Sequence, residues 1–170
     1  ADGASVAVLA AGGTWSSPRL LPDGAVAAVY ESFDTPPCLR MVSLDGAVRD
    51  VFAPAPIHVR SAPHIIPEHV TYTSLDGLPV HGWLYRPRGA TADQPCAAVV
   101  YPHGGPTSVT GDEWDGVAQY FLDKGYAWFA INFRGSTTYG LEFERANHGV
   151  WGVSDTHDCL AAYDFLAELD

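Results

Sequence analysis

Short apolar segments separated by turn residues fill the first third of the chain. This is the pattern of short strands punctuated by turns. The four predicted strands are residues 5–10, 25–31, 38–44 and 47–52. Asp45-Gly46 is well placed for a tight hairpin between the last two strands. Four short antiparallel strands form one sheet or one blade of a β-propeller, and a single blade needs neighbours to bury both of its faces.

The pattern changes near residue 67. Residues 52–67 are rich in proline and have no hydrophobic period, so they are predicted to be an extended connector between two domains. The elements predicted beyond it are a hairpin of residues 69–74 and 79–87, strands at 96–102 and 126–133, and helices at 112–125 and 154–170. A hairpin followed by strand, helix, strand and helix predicts an α/β fold with a mainly parallel sheet.

Local signals refine three of these elements. The strand at 96–102 is continuously apolar, which is typical of a strand buried on both faces. The helix at 112–125 places Trp114 and Phe121 on one face, and Ser154 is the predicted N-cap of the second helix. Cys159 lies inside the apolar stripe of that helix, so we expect a core residue and not a nucleophile.

Composition restricts the class of protein. The chain has 170 residues, a net charge of −11 and an isoelectric point near 4.8, which argue against nucleic-acid and anionic-membrane partners. The sequence has no apolar run near the ~18 residues that a membrane-spanning helix needs. Three widely spaced cysteines favour free thiols in a reducing compartment, so we expect a cytoplasmic protein. The first residues have neither Met nor a basic signal region, so we expect a cut or processed start.

The segment His-Gly-Gly-Pro, residues 103–106, follows the apolar strand at 96–102. Ligand sites in open α/β sheets form at the carboxyl ends of strands. A glycine there lets a backbone N–H face a ligand without an intervening Cβ, and such a donor can stabilise a developing oxyanion. A glycine pair alone is more typical of a plain tight turn, in which glycine serves only to adopt a positive φ, so the motif by itself does not establish such a donor.

Histidines are frequent enough to raise the question of a metal. The seven are His58, His64, His69, His81, His103, His148 and His157. Their spacings match none of the metal-binding patterns, such as two histidines on one helical face or a Cys-x₂-Cys pair. We therefore predict no metal site and no cofactor.

Three stretches together resemble one family of enzymes. They are YTSLDGLPVHGWLYRP, YPHGGPTS and residues 132–166, and they resemble the prolyl oligopeptidase family of serine peptidases, specifically its acylaminoacyl-peptidase and dipeptidyl-aminopeptidase-like branch. Residues 20–46 resemble the final propeller blade of that family. The resemblance implies that residues 1–67 are the last β-propeller blade with its linker. It also implies that residues 68–170 are the N-terminal part of an α/β-hydrolase catalytic domain.

The resemblance also implies roles for residues around the glycine motif. The Gly105 N–H would donate to the oxyanion, with Gly104 letting the loop turn. Dipeptidyl peptidases of the wider family have a tyrosine where His103 stands, so His103 either faces the oxyanion or braces the loop. Arg134 and Tyr139 would lie at the substrate crevice, where Arg134 either contacts substrate or pairs with an acidic residue, Asp155 or Asp158.

The sequence has no Gly-x-Ser-x-Gly motif, so it holds part of an oxyanion hole and none of the Ser, Asp and His of a triad. We therefore expect the 170-residue chain alone to be inactive. The parent protein would hydrolyse short peptides through an acyl-enzyme, with the rest of its own hydrolase domain and propeller as partners. The alternatives are a carboxylesterase of the same fold and a degenerate, non-catalytic hydrolase or scaffold. The oligomeric state remains open.

Overall fold

The computed structural model describes residues 8–91 and 93–169, which divide into two compact units. The first unit comprises the described residues up to 64 together with the short segment 112–114. The second comprises residues 65–111 and 115–169. The chain therefore leaves the second unit briefly and returns to it.

The first unit is an antiparallel sheet of four strands in the order β1-β2-β3-β4. The strands are β1 (Thr14–Leu20), β2 (Val26–Ser32), β3 (Thr35–Val42) and β4 (Val48–Phe52). Tight turns join them, as the sequence predicted; the Ser43 N–H, for example, bonds to the Ala47 carbonyl at 3.0 Å. A short helix, α1 (Ile57–Arg60), lies in the proline-rich stretch that was expected to be wholly extended.

The first predicted strand is wrong as far as the structure describes it. Residues 5–7 lie outside the described residues, and residues 8–10 form no strand. The first strand is instead β1, which contains Pro18 and few apolar residues. Proline is tolerated there because β1 is an edge strand paired only with β2, and the pairing shifts register between Ser16 and Arg19.

The second unit is built on a four-stranded mixed sheet in the order β5-β6-β8-β7. Its strands are β5 (Glu68–Thr73), β6 (Pro79–Tyr85), β7 (Ala98–Pro102) and β8 (Ala127–Asn132). All six residues of β8 are buried. The predicted burial on both faces is wrong for β7, whose residues are exposed or half-buried. The expected mainly parallel sheet is wrong for the described residues: β7 and β8 pair in parallel, whereas the hairpin and its junction with β8 are antiparallel.

Three helices accompany this sheet: α2 (Gly116–Asp123), α3 (Leu141–Arg145) and α4 (Ser154–Ala167). The Asp115 carboxylate caps α2 by accepting the N–H groups of Val117 and Ala118, so the helix starts four residues later than predicted. Trp114 therefore lies outside it. Val153, with no side-chain cap, occupies the N-cap position of α4 that was predicted for Ser154.

The core of the second unit lies between the sheet and α4. Its buried members are Tyr72, Val80, Leu84, Phe129, Ile131, Phe133, Ala161 and Ala162. Cys159 packs against this core, as its helical position predicted, and burial raises the pKa of its thiol. In the part of the chain that the structure describes, no helix combines the length and apolarity needed to cross a bilayer.

Candidate active site

The residues that follow β7 and β8 lie at the same edge of the sheet. The two strands run in parallel and in register, with Pro102 opposite Ile131, so the chain leaves both at the same level. After β7 comes the glycine loop, which we define as residues 103–110. After β8 comes the turn of residues 133–136, which leads to Tyr139. The sequence predicted this juxtaposition from the order of strands and helices.

Asn132, the last residue of β8, holds the far end of the glycine loop. Its side-chain amide accepts the Thr110 N–H at 2.8 Å and donates to the Thr110 carbonyl at 3.0 Å. The indole N–H of Trp83 donates to the same carbonyl at 2.9 Å. Because Asn132 is fully buried, water competes little for its two hydrogen bonds to Thr110.

His103 holds the near end of the loop. Its ring stacks on Phe133, with centroids 4.8 Å apart, and its Nε2 lies 2.8 Å from Ser136 Oγ. Its Nδ1 lies 2.9 Å from the Gly104 carbonyl oxygen, which can only accept, so Nδ1 donates in that contact. Both ring nitrogens of His103 therefore have partners in the glycine loop or in the turn that follows β8.

Gly105 has a conformation that only glycine adopts readily. Its φ is +128°, and a Cβ added to it would lie 3.0 Å from the Cβ of Ser108. It is exposed, and its N–H has no acceptor among the described residues. A Cβ at Gly104, by contrast, would meet no atom within 4 Å. Gly105 thus presents a free backbone donor on a loop that is fixed at both ends.

Arg134 is buried and its guanidinium bonds to two carboxylates. Its Nε and Nη2 donate to Asp158 at 2.7–3.1 Å, and its Nη1 and Nη2 donate to Asp76 at 2.7 and 2.9 Å. The helical partner is therefore Asp158 and not Asp155, and these contacts commit every nitrogen of the guanidinium. Sequence reasoning missed Asp76, because its Leu-Asp-Gly-Leu context is typical of a simple hairpin turn.

Tyr139 lies against His81 of the hairpin strand β6. The two rings are stacked at 4.3 Å with an angle of 4° between their planes, and the Tyr139 hydroxyl lies 3.0 Å from the Asn132 amide nitrogen. Burial raises the pKa of Tyr139 and, together with the neighbouring His69, lowers the pKa of His81. His81 had no signal in the sequence beyond being one of seven histidines.

Ser136 and His103 are the residue types of a nucleophile and its base, but their surroundings do not suit that role. Ser136 is fully buried, and its hydroxyl donates to the Phe133 carbonyl at 2.6 Å. The second nitrogen of His103 bonds to a backbone carbonyl where a triad has a carboxylate. The described residues also bring together no three His, Cys, Asp or Glu side chains that could hold a metal.

Comparison with known proteins identifies relatives of the chain. A family model described as the prolyl oligopeptidase family matches residues 112–170. An uncharacterised peptidase, YuxL, of Bacillus subtilis is 37% identical over 105 residues, which cover 62% of this chain and 16% of that protein. Dipeptidyl aminopeptidase BIII of Pseudoxanthomonas mexicana is 35% identical over 97 residues, covering 54% of this chain and 14% of that protein.

Solved structures show the same arrangement of strands and helices over most of the chain. The crystal structure of a puromycin hydrolase matches with a TM-score of 0.80 and 31% identity, covering 94% of this chain and 25% of that one. An acylaminoacyl peptidase of Pyrococcus horikoshii matches with a TM-score of 0.75 over 98% of this chain and 26% of that one. At 24% identity, the second match shows the fold alone. The chain thus spans about a quarter of these solved chains.

Proposed function

Because the chain belongs to the prolyl oligopeptidase family, we propose that the protein carrying it is a serine peptidase that hydrolyses short peptides through an acyl-enzyme. Its first unit is the last β-propeller blade, and residues from 68 onward are the N-terminal part of its α/β-hydrolase domain. The strand order supports this, since β7, the third strand of the second unit, lies outside β8, the fourth. The nucleophile, its base and the orienting carboxylate belong to the remainder of that domain.

One observation carries the proposal: the N–H of Gly105, at the carboxyl end of β7, has no acceptor among the residues that the structure describes. When a serine attacks a peptide carbonyl, the carbonyl oxygen becomes an oxyanion that needs donors already in place. A preorganised N–H is worth on the order of 3 kcal/mol to that transition state. His103 and Asn132 hold the two ends of the loop, so the donor needs no rearrangement when the charge develops.

A peptide substrate fits better than a simple ester. Relatives of the chain include a dipeptidyl aminopeptidase, an acylamino-acid-releasing enzyme and a puromycin hydrolase. The four-stranded antiparallel first unit also favours a peptidase, because a simple carboxylesterase has no need of a propeller blade. The expected substrates are therefore short peptides of the aminopeptidase, acylaminoacyl-peptidase or dipeptidyl-peptidase type.

The test uses the intact protein that contains this chain. We expect it to react with a fluorophosphonate probe at one serine and to release nitroaniline from an aminoacyl-nitroanilide. Hydrolysis of a nitrophenyl ester without hydrolysis of the anilide would instead support the carboxylesterase alternative. No labelling and no turnover of either substrate would overturn the proposal in favour of a non-catalytic protein.

Substitution of Gly105 tests the role of its N–H. In the intact protein, Gly105→Ala should lower kcat by about 10²–10³-fold with little change in KM, because the strained φ displaces a donor that acts mainly in the transition state. The control is Gly111→Ala, where the added Cβ meets no atom within 4 Å and φ is not in the left-handed region. Equal kcat in the two folded variants would assign Gly105 to the turn alone.

A further inference from the structure

A polar cluster, buried except for one exposed carboxylate, Asp76, contacts the turn that follows β8. Four side chains form this cluster: Ser74, Asp76, Arg134 and Asp158. They come from the end of β5, the hairpin turn, the end of β8 and α4. Asp158 is fully buried, and Arg134 and Ser74 are each 4% exposed. The cluster therefore joins the β5–β6 hairpin, the end of β8 and α4 inside the second unit.

The carboxylate of Asp158 bonds to both the backbone N–H and the guanidinium of Arg134. Its Oδ2 accepts the Arg134 backbone N–H at 2.8 Å, while both of its oxygens accept from Nε. Ser74 Oγ donates to Asp158 Oδ1 at 2.6 Å and so fixes the carboxylate in turn. A carboxylate bonded to both the guanidinium and the N–H of one residue determines the direction of the chain there.

The residues next to Arg134 connect it to the glycine loop. The Phe133 carbonyl accepts both the hydroxyl and the N–H of Ser136, at 2.6 and 3.0 Å, which closes the turn. Phe133 and Ser136 also both contact the ring of His103. Gly135 between them has a φ of +100°, and a Cβ there would lie 3.1 Å from the Asn147 Cβ and 3.4 Å from the Pro106 Cβ. The turn is thus packed directly against the loop.

Stability alone gives little reason for this arrangement. Buried ion pairs contribute little net stability, since the desolvation of both charges offsets their attraction, and apolar side chains of similar size often serve as well. A charge-assisted pair differs from an apolar contact because it is directional. What the cluster adds is a single defined path for the chain between β8 and the turn.

We propose that Asp158 is a positioning residue for the oxyanion donor: it acts through Arg134 and the turn of residues 133–136 to set His103 and, through it, the N–H of Gly105. The proposal rests on the proposed function for its kinetic consequence. Its structural consequence, that the loop loosens when Asp158 is changed, holds whether or not the protein is a peptidase.

The kinetic test compares Asp158→Asn with Tyr72→Phe in the intact protein. Asp158→Asn should lower kcat by about 10- to 100-fold, because small misplacements of a catalytic group have effects of this size, and leave KM within about twofold. Tyr72 donates its hydroxyl to the backbone carbonyl of Asp158 at 2.9 Å and bonds to no side chain of the cluster. Tyr72→Phe should therefore leave both constants near those of the wild type. A rise in KM with an unchanged kcat would overturn the proposal.

Hydrogen exchange supplies a readout that needs no activity. The hydrogen-bonded amides of the glycine loop, those of Ser108 and Thr110, should exchange several-fold faster in Asp158→Asn than in the wild type, with no such change in Tyr72→Phe. If Asp158→Asn does not fold, Ser74→Ala decides, since it removes one hydroxyl that bonds to Asp158 and Arg134. Unchanged loop exchange in a folded variant overturns the positioning role. Faster exchange in a protein that neither labels nor turns over would instead count against the proposed function alone.

Discussion

Arg134 is shared by two carboxylates in very different surroundings. Asp158 is fully buried, whereas the side chain of Asp76 is 50% exposed. Removing the partner of a buried charge leaves that charge uncompensated, which is strongly destabilising, whereas an exposed carboxylate can be hydrated instead. The hydrogen bonds from Arg134 nevertheless lower the pKa of Asp76 to about 2. The contributions of Asp76 and Asp158 to stability can therefore be measured separately, although both bond to the same guanidinium.

The depressed pKa of Asp76 predicts a specific dependence of stability on pH. Its ordinary value is 3.8, so the carboxylate is harder to protonate in the folded state, and its contribution is present above about pH 4 and lost as the pH falls through about 2. Because the side chain is half exposed, that contribution is at most about 1 kcal/mol. Urea unfolding should show Asp76→Asn less stable than the wild type at pH 6, with the difference narrowing below pH 4 and closing below about pH 2. A constant gap across this range would show that the charge of Asp76 contributes nothing.

At the residue scale, sequence could find the glycine loop but not most of what holds it. Gly105 and His103 stand in a recognisable motif after an apolar strand. Asn132 and Asp76 are ordinary residues in their local contexts, and their roles arise from contacts with Thr110 and Arg134, 22 and 58 residues away in sequence. No local pattern carries that information, because these are pairings of side chains that only the folded chain brings together.

The packing of α4 on the sheet depends on two small residues. Ala161 and Ala162 are buried in the core with Phe129 and Phe133, whereas Leu160 and Tyr163 are about half exposed. The face that contacts the sheet therefore combines the two alanines with larger residues such as Phe165, whose ring lies 5.6 Å from that of Phe129. Small residues let a helix approach a sheet that carries bulky aromatic rings, so the aromatic residues supply the volume and the alanines the space.

Enlarging one of these alanines should be costly. Ala162→Leu forces extra methylenes into a filled core and should lower the free energy of unfolding by about 1–3 kcal/mol. Leu160→Ala removes apolar volume at a half-exposed position of the same helix and should change it by less than about 0.5 kcal/mol. Denaturant unfolding of the two variants checks this. Comparable losses would mean that α4 is held by its outer face.

At the element scale, the sequence predicted the elements with strong apolar runs and missed those defined by pairing. β7 and β8 lie within the two continuously apolar segments, and the hairpin of β5 and β6 surrounds an obvious turn. β1 was missed because its residues, including Pro18, have little strand preference. β1 forms a strand because it pairs with the edge of β2. This pairing depends on the rest of the sheet and not on the sequence of β1 itself.

For the whole molecule, the most consequential feature is the outer edge of β7. Among the described residues β7 pairs only with β8, so one row of its N–H and C=O groups has no strand beside it. Its sequence, Ala-Val-Val-Tyr-Pro, carries no charge, and Tyr101 is 43% exposed. An uncharged, apolar edge of this kind is a template for pairing with another strand. In the proposed hydrolase domain, that strand would be the one leading to the nucleophile.

This edge makes a prediction about the 170-residue chain as an isolated object. It should associate through β7 and sediment well above its monomer mass of 18.2 kDa. Tyr101→Lys places a charge on the exposed edge and should shift the distribution toward monomer, since edge lysines oppose strand pairing. The matched control is Tyr120→Lys, which adds the same charge at an exposed position of α2 and should leave association unchanged. If both substitutions act alike, net charge governs the association. A compact wild-type monomer with a cooperative melt would show instead that the edge of β7 needs no partner strand.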